Sequence, residues 1–166
     1  MSEPVQIRLD LSHPETQTIG VSIQWTPQTR RQTFQLPVWT PGSYTVRDHA
    51  QHLHSLELLA NSEELAVRRL APHQWLCDLP DLSPLTLNYQ LEARDLTVRT
   101  GLLDPDFASL CLAAVAMDID GFRWSPHRVA VKAPEHWSVH LPLETSPEGW
   151  IAADFDALVD SPLHAG

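Results

Sequence analysis

Apolar residues recur at every second position through most of this chain, and that spacing limits what it can fold into more than any other feature. Val5, Ile7, Leu9 and Leu11 are spaced by two, as are Ile19, Val21, Ile23 and Trp25. The pattern returns at Leu85, Leu87, Tyr89 and Leu91, at Val129 and Val131, and at Trp137, Val139, Leu141 and Leu143. On a pleated strand such a set lines one face and leaves polar residues on the other. Antiparallel sheets with one wet face carry this alternation.

Turn-forming stretches separate the runs. "SHPETQ" (12–17), "TPQTRR" (26–31), "LANSEEL" (59–65) and "LPDLSP" (79–84) are rich in Pro, Asn, Asp and Ser. Leu56 and Leu58 on one side of "ANSEE", with Leu65 and Val67 on the other, predict a hairpin. No long segment keeps a helical period, and 14 prolines work against helices. The expectation is an all-β fold: an antiparallel β-sandwich of about seven to ten short strands over residues 1–153. The tail differs. In "ADFDALVDSPLHAG", Asp154 can cap a short helix in which Phe155, Leu158 and Val159 share a face before Pro162 ends it. A helix that short needs a surface to pack on, either the sandwich itself or a following domain.

With 166 residues the chain has the size of one domain and room for a core. A net charge of -10 and scattered Arg and Lys leave no basic stripe for phosphates, which argues against nucleic acid. No apolar run reaches membrane-spanning length, and "MSEPVQIRLD" lacks a secretory h-region. Cys77 alternates with Trp75 and Leu79 as a buried thiol would, and Cys111 completes no framework or Cys-x-x-Cys pair. These features predict a reducing, cytoplasmic location.

Chemistry is sparse. No His is followed by Glu, so His-Glu-x-x-His is excluded. His49, His52 and His54 cluster, but strand geometry turns His49 away from the other two. "DIDG" begins like a calcium loop at Asp118, yet Arg123 occupies the glycine position and Val129 the bidentate glutamate position. Asp104 and Asp106 form a carboxylate pair of the kind a β-fold glycosidase uses, in a stretch that reads as a turn. No Gly-x-Ser-x-Gly elbow is present. By its residues this segment is not expected to be an enzyme, and it has no metal or cofactor site of its own.

One stretch stands apart: "LPVWTPGSYTVRDHAQHL", Leu36 to Leu53. Pro41-Gly42 suits the centre of a type II turn, flanked by Trp39 and Tyr44 and followed by the Arg47-Asp48 pair. Two readings are open. The aromatics can fill the core at a sandwich corner, or the rigid bend can form a wall for a ligand or another domain.

That stretch resembles the N-terminal domain signature of the glycyl aminopeptidase family, zinc metallopeptidases of gluzincin type whose bacterial members often carry a C-terminal PDZ domain. Trp39, Pro41, Gly42, Ser43, Tyr44, Arg47 and Asp48 match its Trp-x-Pro-Gly-Ser-Tyr and Arg-Asp pattern. "LEARDLTVRT" is similar to a later strand of the family through Arg94, Val98, Arg99 and Thr100. "DFDALVDSPLHAG" resembles its domain junction through Leu158, Asp160, Ser161, Pro162 and Gly166. Where the family has a Phe-Asn-Gly turn, this chain has "DPDFASLCL".

The resemblance implies a non-catalytic β-domain that packs on the parent's own catalytic domain and bounds its peptide-substrate cleft, with zinc held in that other domain. Trp39, Pro41, Gly42, Ser43, Tyr44, Arg47 and Asp48 become the candidate cleft wall or domain contact. Residues 154–166 become the junction, with Phe155, Leu158, Val159 and Asp160 as contacts. The rival reading is a free-standing β-sandwich module binding carbohydrate or protein, with the tryptophans as a stacking platform.

Overall fold

A computed structural model of the protein describes residues 4–37, 53–93 and 101–166. Strand dominates, as the alternation predicts. The order is β1 (Val5–Asp10), β2 (Thr18–Trp25), β3 (Arg31–Gln35), β4 (Leu53–Ala60), β5 (Glu63–Leu65), β6 (Arg68–Ala71), β7 (Gln74–Asp78) and β8 (Leu85–Glu92). Then come β9 (Gly101–Leu103), β10 (Ala108–Cys111), β11 (Asp118–Ile119), β12 (His127–Lys132), β13 (Val139–His140), β14 (Glu144–Ser146) and β15 (Gly149–Ala152). The helix α1 (Phe155–Val159) and β16 (Pro162–Ala165) complete the chain.

Three sheets share these strands. The large one has eight, in the order β14-β15-β12-β1-β2-β8-β4-β5. Two four-stranded sheets, β13-β16-β10-β9 and β11-β3-β7-β6, complete the layers. Among the described strands pairing is antiparallel except between β1 and β12, which run parallel with Val5 opposite His127 and Leu9 opposite Val131. Local alternation does not specify that pair, because each strand buries alternate residues whichever way its neighbour runs.

The in-phase residues face inward. Val5, Ile7 and Leu9 of β1, Ile19, Val21, Ile23 and Trp25 of β2, and Leu85, Leu87, Tyr89 and Leu91 of β8 are buried, joining Phe34, Trp75, Leu110 and Leu163 from the smaller sheets in one core. Phe34 stacks on Trp75 at 6.2 Å and meets Trp25 edge-on at 6.3 Å. Several polar groups inside this core are paired. The Trp25 indole donates to Gln32 Oε1 at 3.2 Å, and Gln32 Nε2 donates to the Asp120 carbonyl at 3.0 Å. The Tyr89 hydroxyl donates to the Val115 carbonyl, and burial raises its pKa.

The predicted hairpin forms: Leu58 faces Leu65, Ala60 faces Glu63, and Asn61 and Ser62 take φ of 52° and 66°. Positive φ at both turn positions matches the right-handed twist of the flanking strands. Cys77 is a buried free thiol, and Cys111 is free and half-buried. The expected strand over 137–143 is shorter than its alternation suggests. The strand itself is Val139–His140, with Ser138 exchanging backbone hydrogen bonds with Gly166 just before it, because Trp137 closes a turn onto the Pro134 carbonyl and Pro142 has no N–H to donate.

Candidate functional site

The Asp154 carboxylate builds the first feature. Its Oδ1 accepts from the Ala157 amide at 2.8 Å and caps α1 as predicted. The helix lays Phe155, Leu158 and Val159 into this chain's own core, all of them buried, while Asp160 stays exposed. Behind it, β16 pairs with both β10 and β13. The tail therefore finds the packing surface it needs within the sandwich.

Against α1 sits the turn Phe122–Ser125. The Phe155 amide donates to the Arg123 carbonyl at 2.8 Å, and the Ser125 amide closes onto the Phe122 carbonyl at 3.0 Å. The Arg123 guanidinium forks, giving one hydrogen bond to Asp118 at 2.8 Å and one to Asp156 at 2.5 Å, and it lies over the Phe155 ring. Burial raises the pKa of Asp118, helped by the charges of Asp120 and Asp156 and opposed by Arg123. Trp124, between these anchors, is 73% exposed. Three residues on, His127 is fully buried at the start of β12. Its Nδ1 donates to the Ser125 carbonyl at 2.8 Å, its ring packs on Phe155 at 5.6 Å, and its Nε2 has no partner among the described residues. Burial holds its pKa below the ordinary histidine value, against the hydrogen bond to Ser125 and the charge of Asp154.

The second feature is a trough of about 820 Å³ on the wet face of the large sheet. Register explains its shape. Arg8, Ser22, Asn88 and Glu57 form one row across β1, β2, β8 and β4; Asp10, Gly20, Gln90 and His54 form the next. Small residues on β2 make the floor between longer side chains. Ser55, at φ 58° beside a bulge in β4, and Glu148 from the β14–β15 turn also line it. Asn88 donates to Glu57 at 3.1 Å. Burial raises the Asp10 carboxyl, but hydrogen bonds from Ser12 and the charge of Lys132 outweigh it and hold the pKa low. The described lining of the trough offers hydrogen bonds and charges of both signs but no exposed aromatic ring.

The sequence candidates divide. Trp39, Pro41, Gly42, Ser43, Tyr44, Arg47 and Asp48 lie outside the described residues, as do Arg94, Val98, Arg99, Thr100, His49 and His52. His54 is exposed, with Nδ1 3.2 Å from the Ser55 hydroxyl. Asp104 Oδ1 accepts from the amides of Asp106 and Phe107 at 2.8 and 3.0 Å, the geometry of a turn. Asp118 pairs with Arg123 rather than opening a cation loop. Among the described residues no three His, Cys, Asp or Glu side chains are placed to hold a metal ion. Trp25 and Trp75 are core, Trp137 and Trp150 half-buried, and Trp124 alone of the described tryptophans is exposed, so they offer no stacking platform. Sequence reasoning missed Trp124 and its Arg123 fork; the run "GFRWSP" carried only the hint of an aromatic outside any alternating set.

Comparison with known proteins decides the family. The model of the peptidase M61 N-terminal domain matches residues 6–166. The chain belongs to that family. The N-terminal peptidase domain implied by the sequence resemblance is thereby established. Among solved structures, an aminopeptidase N family protein from Idiomarina loihiensis superposes with a TM-score of 0.88 at 26% identity, over 98% of this chain and 29% of that one. An M1 zinc metallopeptidase from Deinococcus radiodurans gives 0.60 at 13% identity, over 99% of this chain and 42% of that one. Leukotriene A4 hydrolase from Saccharomyces cerevisiae gives 0.59 at 10% identity, over 99% and 28%. The last two are likenesses of fold. The M61 chain thus spans less than half the length of each of these structures. No curated protein matches it.

Proposed function

We propose that this M61 domain is the non-catalytic N-terminal part of a zinc aminopeptidase, packing on a catalytic domain in the same polypeptide and helping to bound a cleft for peptides with a free N-terminus. One observation carries the reading: a family model of a peptidase N-terminal domain accounts for residues 6–166. The 26% identical relative, a member of the aminopeptidase N family, is more than three times as long as the segment it shares, and supports a catalytic domain beyond it. In such a parent, zinc would polarise the scissile carbonyl and activate water. The contribution of this domain is shape: a rigid sandwich whose exposed turns limit how far a peptide extends past the site. The Trp39–Asp48 stretch is our candidate for the cleft wall or domain contact, and residues 154–166 for the junction. Preference for an N-terminal glycine, a downstream PDZ domain and a bacterial, cytoplasmic setting complete the proposal, on the sequence resemblance and the two free cysteines.

Metal analysis of two polypeptides tests this. The full-length product should carry about one zinc per chain, lost when its His-Glu-x-x-His histidines are replaced, and the 166-residue chain should carry none. Stoichiometric zinc on residues 1–166, or a full-length product without a metal-binding motif, would overturn the reading.

A further inference from the structure

Trp124 is the most exposed large apolar side chain among the described residues, and its setting is not that of a stray surface residue. Its backbone is fixed on both sides. Arg123 is held by two carboxylates and by the Phe155 amide, and Pro126 accepts from the Val5 amide at 2.9 Å as β12 begins. An indole on a rigid mount loses little freedom when a partner covers it, and tryptophan is enriched among residues that dominate interface energies. The surroundings are acidic. Asp118, Asp120, Asp154 and Asp156 sit around this turn, with the Arg123 guanidinium between Asp118 and Asp156, in a chain whose net charge is -10.

We infer that Trp124 is the anchor of a docking surface for the following domain of the same polypeptide, inserting into an apolar slot bordered by Lys or Arg. The inference rests on the proposed function and deepens it by naming where the two domains meet. Three observations converge on this occupant. The shared segment is only 29% of the 26% identical relative, so that relative carries a large further body in the same polypeptide. The indole stands beside α1 on a corner held by the Arg123 fork and the Phe155 amide, a fixed mount suited to a permanent partner in the same polypeptide. The acidic rim complements a basic border and opposes self-association, since a second copy would bring carboxylate against carboxylate.

Fluorine NMR on 5-fluorotryptophan-labelled protein tests it, with the position-124 resonance assigned by its absence in Trp124→Phe. In the 166-residue chain a soluble paramagnetic agent should broaden that resonance strongly. In the full-length polypeptide the broadening should fall at least about fivefold, and Trp124→Glu should raise the rate of protease cleavage between the domains about tenfold. Equal broadening in both polypeptides overturns the inference, as does cleavage unchanged by Trp124→Glu. Protection that appears in the 166-residue chain only at raised concentration assigns the surface to a second copy and equally overturns it. Peptide hydrolysis measured on the same samples separates the two claims. Turnover with an unprotected Trp124 removes the docking site alone, and a protected Trp124 without turnover removes the peptidase reading alone.

Discussion

Replacing Phe155 by alanine is expected to cost this domain about 4 kcal/mol of stability. The side chain is 1% exposed, so its truncation loses the transfer free energy of the ring and leaves a cavity; buried Phe-to-Ala changes cost about 3–5 kcal/mol. The surroundings cannot collapse to fill the space. One wall is the His127 ring, 5.6 Å away at the start of a strand paired on both sides, and another is Leu158 and Val159 of the same short helix. The Arg123 guanidinium, 5.8 Å from the ring centroid, loses its aromatic face as well, a smaller loss of about 0.5 kcal/mol at this half-exposed site. Equilibrium urea unfolding of the 166-residue chain measures the sum. With an m-value of about 2 kcal/mol/M the midpoint should fall by about 2 M at unchanged slope. Trp124→Ala is the control, expected within about 0.5 kcal/mol of wild type because that indole is 73% exposed. A loss below about 1 kcal/mol for Phe155→Ala would refute the packing of α1 into the core.

Three further outcomes follow from single contacts. Asp154→Ala removes the acceptor for the Ala157 amide and should cost about 1 kcal/mol by thermal unfolding, whereas Asp154→Asn should retain most of that. His127 is neutral when folded and its pKa is depressed, so its contribution is complete above the unfolded value of about 6.5 and declines as pH falls below it, by up to about 1.4 kcal/mol per unit until the depressed value is reached; the pH 7.5-to-5.5 loss in urea midpoint should shrink in His127→Gln. Gly149, at φ 155°, would place a new Cβ 2.1 Å from the Val129 carbonyl oxygen, so Gly149→Ala should open the β12–β15 edge and lower the melting temperature by several degrees, with a loss of about 2 kcal/mol or more.

Much of the fold is legible in the residues because burial enforces the strand period. Ile19 through Trp25 and Leu85 through Leu91 lie opposite each other in full register, each in-phase residue inside. The Asp154 cap and the Phe155–Val159 stripe were equally legible, since capping and helical spacing are local signals. Four features were not. The parallel β1–β12 pair joins residues about 120 positions apart, and neither strand's pattern encodes its partner. The run from Trp137 to Leu143 alternates, but the turn closed by the Trp137 amide at its start and Pro142 within it cut the ladder short. Phe122 and Trp124 are also spaced by two, which on a strand would place them together. The turn closed by the Ser125 amide breaks that period, so Phe122 goes inside and Trp124 out. The trough was hidden for a similar reason: its rows are built across strands, and only register shows that Gly20 and Ser22 form a floor between longer neighbours.

The account holds that these residues supply a scaffold and a docking face while the chemistry resides elsewhere in the polypeptide. Hydrolysis of aminoacyl p-nitroanilides, glycyl and alanyl among them, by the 166-residue chain and by the full-length product side by side tests this most directly. The predicted result is chelator-sensitive turnover by the full-length product and none above background by the chain alone. Turnover by the chain alone, or a metal-loaded full-length product that releases no N-terminal residue, would contradict it.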